Sequence, residues 1–142
     1  MTDLDGRVAI VSGASGRLGP EIVRCLASEG VRVVAVGRTL ETLRSGVGDV
    51  AECRAADITS PDWPALVSSV AAELGRLDVL VNNAHVGRGG SLRLSTSEDF
   101  TEAFTLAVTA SASAINAARE GLVACADAGG SPSVINVSSM YG

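Results

Sequence analysis

Three glycines, Gly13, Gly16 and Gly19, lie between an apolar run and an amphipathic stretch. The run is RVAIVS at residues 7–12, and the stretch covers residues 20–28. Glycines at such a place allow a tight turn and let backbone N–H groups approach a phosphate, while the start of a helix adds unpaired donors and partial positive charge. An ordinary tight turn is the alternative. The position between a predicted strand and a predicted helix favours a nucleotide site.

Further polar residues that could do chemistry follow other apolar runs. Asp57 comes shortly after residues 50–55, and Ser139 comes at the end of the last run. From residue types alone, Asp57 is equally a helix-capping residue and Ser139 a polar strand end. His85 is the only histidine. Histidine titrates near neutral pH and can act as a base. No carboxylate partner for His85 can be identified from the sequence, so we interpret it as a substituted loop residue and assign it no catalytic role.

Predicted strands alternate with predicted helices along the whole chain, and these elements must position the residues named above. Right-handed crossovers between such elements make a doubly wound parallel α/β sheet of Rossmann type, with strand order 3-2-1-4-5, in a single domain over residues 1–142. The strands are predicted at residues 7–12, 31–36, 50–55, 78–82 and 133–138, and the helices at 20–28, 39–45, 61–74 and 97–121.

Residues at the helix ends set these boundaries. Gly46 is predicted to end the second helix. Ser60, followed by a proline, has the pattern of an N-cap for the third. Thr96 and Asp99 match a capping box at the start of the long fourth helix, which is predicted to reach about Gly121.

The fifth predicted strand lies almost at the end of the sequence. A strand that no helix covers and no further strand pairs with would leave an open, apolar sheet edge, which proteins normally avoid. We therefore expect an incomplete domain that lacks the C-terminal part of its fold.

Composition excludes several classes of protein. The 142 residues are 46% apolar and carry a net charge of −5, which argues against disorder and against binding to nucleic acid or anionic membranes. The three cysteines have no metal-ligand spacing, so no metal site is expected, and they suit a reducing cytoplasm. The N-terminus lacks the basic region of a signal peptide. All eleven basic residues are arginine.

Four segments together resemble the N-terminal portion of a short-chain dehydrogenase/reductase. They are LDGRVAIVSGASGRLG, the AADIT that contains Asp57, DVLVNNA at residues 78–84 and the INVSS that contains Ser139. The resemblance covers the whole chain and implies a Rossmann-type sheet with NAD(H) or NADP(H), which exchanges hydride with an alcohol or carbonyl substrate. Arg17 stands where most members place the second glycine, so the turn reads GxxGxxG.

The resemblance also implies roles for particular residues. Asp57 would bind the adenine amino group, and Asn82 and Asn83 match an NNAG motif in which His85 takes the place of the glycine. Ser139 matches the catalytic serine, whose hydroxyl binds the reacting oxygen. The cofactor-binding set implied by the resemblance is Gly13, Ser15, Gly16, Arg17, Leu18, Gly19, Arg38, Asp57, Ile58, Asn83 and Ala84.

The end of the second strand discriminates between the two cofactors. Proteins that prefer NAD place an acidic residue there for the ribose 2′-hydroxyl, whereas a basic residue accommodates the 2′-phosphate of NADP. Here Gly37 and Arg38 replace the acid. Arg38 can pair with that phosphate, and Arg17 could reach it from the turn. Two solvated surface arginines are the alternative, and we predict a preference for NADP(H).

Other catalytic residues of the family have no match in these 142 residues. The proton donor is a tyrosine about a dozen residues beyond the serine, in a YxxxK motif, whereas Tyr141 is too close to Ser139 and the sequence contains no lysine. Ala107 replaces the family's asparagine on the long helix. We expect negligible activity from the chain alone, and a non-catalytic dinucleotide-binding or partner-binding module is the alternative function.

The long helix is predicted to contact a partner. Residues 103–118 carry no charge, so one face would meet the sheet and the other would need cover. In the resembled family this helix packs against its copy, so we expect a homo-oligomer, or docking to a missing C-terminal half, through helix 97–121. Residues 87–91 are interpreted only as a mobile pocket edge, and the substrate stays unidentified.

Overall fold

The computed structural model describes residues 4–86 and 92–138 of the chain. In chain order the strands and helices are β1 (Val8–Ser12), α1 (Gly19–Ser28), β2 (Arg32–Gly37), α2 (Leu40–Val47), β3 (Glu52–Ala55), α3 (Trp63–Leu74), β4 (Val79–Asn82), α4 (Ser97–Phe104), α5 (Ala110–Asp127) and β5 (Ser133–Asn136). Short 3-10 turns occupy Gly48–Val50 and Leu92–Leu94, and a π-helical turn, Thr105–Thr109, joins α4 to α5.

The five strands form one parallel sheet in the order β3-β2-β1-β4-β5, which confirms the predicted α/β topology. β1 lies at the centre, where Ile10 pairs in register with Val34 of β2 and Leu80 of β4. Every residue of β1 is buried, as expected for a strand with helices on both faces of its sheet. The carboxyl ends of β1, β2 and β4 therefore meet at one edge.

Alternating side chains of the sheet divide the core into two layers. Ile10 and Leu80 pack on one face with residues of α3 and α5, including the fully buried Trp63. Ala9 and Val33 pack on the other face with residues of α1 and α2. Both faces of the sheet are thus covered by helices, and the carboxyl edge of this sheet carries the candidate site.

Several predicted boundaries were wrong by a few residues. α2 does not stop before Gly46 but continues through it to Val47, because Gly48 is the residue with positive φ, at 64°, that terminates the helix. β3 begins at Glu52 because the 3-10 turn takes the residues before it. α3 begins at Trp63 with Asp62 in the N-cap position, since Ser60 uses its hydroxyl to accept from the Asp62 N–H at 3.2 Å.

The long fourth helix differs from the prediction in two ways. The predicted capping box at Thr96 and Asp99 is present, but the π-helical turn interrupts the helix before α5 continues to Asp127. Gly121 does not end it. A Cβ at Gly121 would lie 2.9 Å from the Cβ of Ala71, so this glycine lets α5 approach α3 closely.

β5 forms one edge of the sheet, and all four of its residues are exposed. They include Val134 and Ile135, which are 39% and 46% exposed. This agrees with the expected open and apolar edge.

Over residues 4–86 and 92–138, no helix has the length and apolar character needed to cross a membrane.

Candidate functional site

The glycine turn after β1 is packed directly against the end of β4. Gly13 has a φ of 64°, and a Cβ on it would lie 2.6 Å from the Cα of Ala84. A Cβ on Gly19 would lie 2.3 Å from the carbonyl oxygen of Gly13, and the Gly16 N–H donates to that same oxygen at 3.0 Å. Larger residues at positions 13 and 19 would thus displace backbone, which explains two of the three predicted glycines.

The turn leads into a helix start that the chain leaves without a side-chain cap. α1 begins at Gly19, and its N-cap residue Leu18 makes no capping hydrogen bond. Glu21, the acidic residue of the first turn, forms an ion pair with Arg24. The start of a helix carries about half a positive charge on its unpaired N–H groups, so this end suits an anion.

Asn83 connects the turn to β4. Its side-chain amide donates to the carbonyl oxygens of Ser12 at 3.3 Å and Gly13 at 3.1 Å. The hydroxyl of Ser12 in turn accepts from the backbone N–H groups of Asn83 at 3.2 Å and Ala84 at 3.4 Å. The turn is therefore held in place before any ligand arrives.

Ser12 was missed as a site residue from the sequence. It is buried at the end of β1, and its hydroxyl also donates to the Val81 carbonyl at 3.4 Å. A small polar residue at the end of a buried strand, followed by glycine, is the signal that could have found it. Asn82 was included in the motif, and its amide donates to the Asn136 side chain at 2.8 Å, which joins β4 to β5.

The end of β2 lies beside the same turn. A Cβ on Gly37 would lie 2.9 Å from the hydroxyl oxygen of Ser15, so these two residues are neighbours. The Gly37 carbonyl accepts from the Ala56 N–H at 2.8 Å, which brings the segment after β3 to the same edge. Arg38 follows, exposed to solvent.

Asp57 is held as a carboxylate next to Arg38. Its Oδ1 accepts from the Thr59 hydroxyl at 2.7 Å and from the Thr59 N–H at 2.9 Å. These hydrogen bonds lower the pKa of Asp57 below its ordinary value, and the positive charge of Arg38 lowers it further. The hydrogen bonds from Thr59 thus occupy one carboxylate oxygen of Asp57. Asp57 is not the N-cap of α3, because Asp62 holds that position.

Ile58 lines a cleft between the Asp57 loop and the π-helical turn. The cleft has a volume of about 180 Å³ and is lined by Ile58, Thr59, Ser60, Pro61, Trp63, Pro64, Thr105, Thr109, Ala110 and Ser113. Trp63 donates through Nε1 to the carbonyl oxygen of Ala110 at 3.1 Å, which links the start of α3 to the end of the π turn. Ala107, which the sequence predicted to replace the family's asparagine, lies exposed within that turn.

The remaining site predictions divide between exposed residues and residues outside the described part of the chain. Ser139 and Tyr141 lie outside the described residues, as does the segment 87–91. His85 is exposed directly after the NNA of β4. The structure thus brings together Gly13, Ser15, Gly16, Gly19, Arg38, Asp57, Asn83 and Ala84 at or beside the carboxyl edge of β1, β2 and β4, with Arg17 and Leu18 exposed between the turn and α1.

The sheet and its carboxyl edge together define a Rossmann-type α/β protein in which a glycine turn joins β1 to the start of α1. The glycine turn fits a dinucleotide for two reasons. Gly13 and Gly19 have no room for a Cβ, and the N-terminus of α1 has no side-chain cap that would occupy its N–H groups. A protein-family model described as short chain dehydrogenase matches residues 7–142. The chain belongs to the short-chain dehydrogenase family.

Individual relatives agree with this assignment. L-xylulose reductase of Bos taurus is 35% identical over 137 residues, which cover 96% of this chain and 54% of the bovine protein. The crystal structure of a metagenomic short-chain oxidoreductase in complex with NADP matches 98% of this chain and 64% of its own, with 34% identity and a TM-score of 0.85. A 3-ketoacyl-(acyl-carrier-protein) reductase from Brucella melitensis complexed with NADH matches 96% of this chain and 58% of its own, with 27% identity and a TM-score of 0.86.

The chain spans about half the length of the curated relatives it matches. The family is one of oxidoreductases, so the alternative of a non-catalytic module is not favoured.

Proposed function

We propose that this chain supplies the NADP(H)-binding part of an oxidoreductase that exchanges hydride between nicotinamide and an alcohol or carbonyl substrate. The observation that carries the proposal is the glycine turn, packed against Ala84 and followed by an α1 start without a side-chain cap. The cofactor supplies the hydride chemistry when bound. The chain supplies rigid backbone donors and charge to hold it.

In this proposal the site residues divide by the part of the cofactor they hold. The pyrophosphate contacts the backbone of the turn, residues 13–19, including Ser15, Gly16, Arg17 and Leu18. Asp57 and Ile58 hold the adenine, because the free oxygen of Asp57 can accept from its amino group. Asn83 and Ala84 border the ribose beside Gly13, to which they are already bonded or packed.

The preference for NADP(H) rests on Arg38. It is exposed, follows Gly37 where NAD-preferring proteins place an acid, and acts electrostatically on Asp57. Isothermal titration should show tighter binding of NADP⁺ than of NAD⁺, and Arg38→Asp should reverse the order. The matched control is Arg32→Gln, an exposed arginine at the amino end of β2. Tighter NAD⁺ binding by the unsubstituted chain would overturn the preference.

For catalysis we propose that Ser139 donates a hydrogen bond to the reacting oxygen. The 142 residues contain no lysine, so they hold no Tyr-Lys pair to move the proton, and positioned acid-base catalysis typically contributes on the order of a hundred- to ten-thousand-fold. We expect no turnover by the 142 residues above a Ser139→Ala control. Fusion to a segment that carries YxxxK should create activity that requires Ser139, while turnover by the chain alone that is abolished by His85→Ala would contradict this.

The proposed partner surface lies on the helical segment 97–121. Its inner face is buried through Ala110, Ala114 and Ala118, whereas Phe100 and Phe104 are 58% and 61% exposed. We propose that this outer face associates with a second copy or with a C-terminal half of the enzyme. Analytical ultracentrifugation should show self-association that Phe104→Ser weakens; a monodisperse monomer would contradict self-association.

We also propose that residues 1–142 act as one dinucleotide-binding domain in the cytoplasm. The continuous five-stranded sheet and the three free cysteines support this. Limited proteolysis that yields two stable fragments would contradict the single domain, and secretion of the tagged chain would contradict the location.

A further inference from the structure

The two arginines of the proposed site occupy different places around the turn. Ser15 faces the end of β2, as its contact with Gly37 shows, and Arg38 follows Gly37 on that side. Arg38 is also the cation whose charge reaches Asp57. Arg17 comes after the turn has closed through the Gly16 to Gly13 hydrogen bond, two residues before α1 begins. Along the chain Arg17 therefore lies next to the start of α1, whereas Arg38 directly follows β2.

Arg17 has no partner within the described part of the chain. It is exposed, and across residues 4–86 and 92–138 it makes no hydrogen bond or ion pair. The nearest acid along α1, Glu21, is paired with Arg24 instead, and Arg24 also donates to the Gly46 carbonyl at 2.6 Å. The charge of Arg17 is thus available to a ligand.

The charges at the start of α1 indicate which group of a ligand the Arg17 guanidinium would bind. Each phosphate of a dinucleotide diphosphate carries a full negative charge, whereas a helix start offers only about half a positive charge. The chain as a whole has a net charge of −5 and provides no general attraction for anions. A guanidinium at the helix start supplies the missing charge and can make two parallel hydrogen bonds to phosphate oxygens.

We propose that Arg17 is a ligand of the diphosphate shared by both dinucleotides, and that it does not read the 2′-phosphate. The inference rests on the proposed function, because it concerns the same cofactor site. It divides the work of the two arginines: Arg17 sets the affinity for any dinucleotide, and Arg38 sets the preference between them. The residue that departs from the family's second glycine thereby adds a charge where a glycine adds none.

The test is isothermal titration of NAD⁺, NADP⁺ and adenosine 2′-monophosphate against the unsubstituted chain and three variants. Arg17→Gln should weaken NAD⁺ and NADP⁺ by the same factor, about tenfold, as expected for the loss of a charged hydrogen bond, and should leave adenosine 2′-monophosphate unchanged. Arg38→Gln should weaken NADP⁺ and adenosine 2′-monophosphate but not NAD⁺. Arg32→Gln, an exposed arginine at the amino end of β2 and the matched control, should change none of the three.

Each other outcome has a distinct meaning. A larger loss for NADP⁺ than for NAD⁺ with Arg17→Gln, or a loss of adenosine 2′-monophosphate, would make Arg17 a reader of the 2′-phosphate and overturn the inference. An unchanged affinity for all three ligands would overturn it as well, while leaving the proposed function standing. Failure of the unsubstituted chain to bind either dinucleotide would overturn both. Circular dichroism of each variant confirms that the fold is retained.

Discussion

At the amino ends of β1 and β4 the charged groups are bonded to the chain itself, whereas at the carboxyl ends two arginines make no hydrogen bond or ion pair with the described residues, although the charge of one of them acts on Asp57. Asp78, just before β4, is fully buried. It accepts from the Val8 N–H at 2.8 Å, from Arg76 Nε at 2.8 Å and from the Cys125 thiol at 3.1 Å. Arg17 and Arg38, at the opposite edge, are exposed and make no such contacts.

The pKa shifts of Asp78 and Cys125 agree with this contrast between the two ends of the strands. Burial opposes ionisation of Asp78, but hydrogen bonds from Arg76, Val8 and Cys125 outweigh it and hold its pKa below the ordinary value. Burial raises the pKa of the Cys125 thiol, and the bond to Asp78 raises it further. The pair is thus kept as carboxylate and neutral thiol. Satisfied polar groups at one edge serve stability, while unsatisfied charge at the other suits a ligand.

Removing the Asp78 carboxylate at the amino end of β4 should have the largest effect on the free energy of unfolding. Asp78→Asn replaces an acceptor by an amide whose N–H groups face other donors, so the free energy of unfolding should fall by about 3 kcal/mol. Urea unfolding followed by the fluorescence of Trp63, the only tryptophan, measures it. Asp62→Asn is the control, because Asp62 is an exposed acid in the N-cap position of α3 whose side chain makes no capping hydrogen bond; equal losses in the two variants would contradict a special role for Asp78.

The same variant tests the pH dependence. Because the folded pKa of Asp78 is lowered, its contribution to stability is complete above the unfolded pKa of about 3.9 and is lost as pH falls through the folded value. The unsubstituted chain should therefore lose more free energy of unfolding on acidification below about pH 4 than Asp78→Asn does. Parallel pH profiles for the two proteins would contradict this.

At the carboxyl edge the next largest effect concerns the close approach at Gly13. Gly13→Ala places a Cβ against Ala84 in addition to straining a positive φ, and should cost about 2 kcal/mol more than strain alone. Gly129→Ala is the matched control, because Gly129 has a φ of 81° with nothing within 4 Å of its Cβ position. Similar unfolding midpoints for both variants would show that the Ala84 contact is unimportant.

The smallest effect belongs to the bond that links the two halves of the cleft. Trp63→Phe removes the donor to the Ala110 carbonyl while keeping an aromatic ring, and should lower the free energy of unfolding by about 1–2 kcal/mol. Circular dichroism in urea is the measurement, since the fluorophore is lost. Ser68→Ala removes an exposed donor to the Ala117 carbonyl and should change less. The reverse order would contradict the account of this junction.

The order of strands and the position of the glycine turn could be predicted because both are written in local patterns. A buried parallel strand is a continuous apolar run, and a strand, a turn and a helix start follow one another within residues 8–28. Strand order then followed from the handedness of the crossovers. The candidate site residues Gly13 and Gly19 could be singled out for the same reason, whereas Arg38 and Asp57 became candidates through the Rossmann pattern and the family resemblance.

Only the tertiary structure decided contacts between residues far apart in the sequence. Ser12 bonds to Asn83 across 71 positions, and Cys125 bonds to Asp78 across 47. The π-helical turn was likewise not predicted from local propensity. Gly121 lies inside α5 because it allows a close approach of α5 to α3, which local propensity does not show. The sequence determined which edge of the sheet carries the glycines and cations, and packing between distant segments determined how tightly that edge is built.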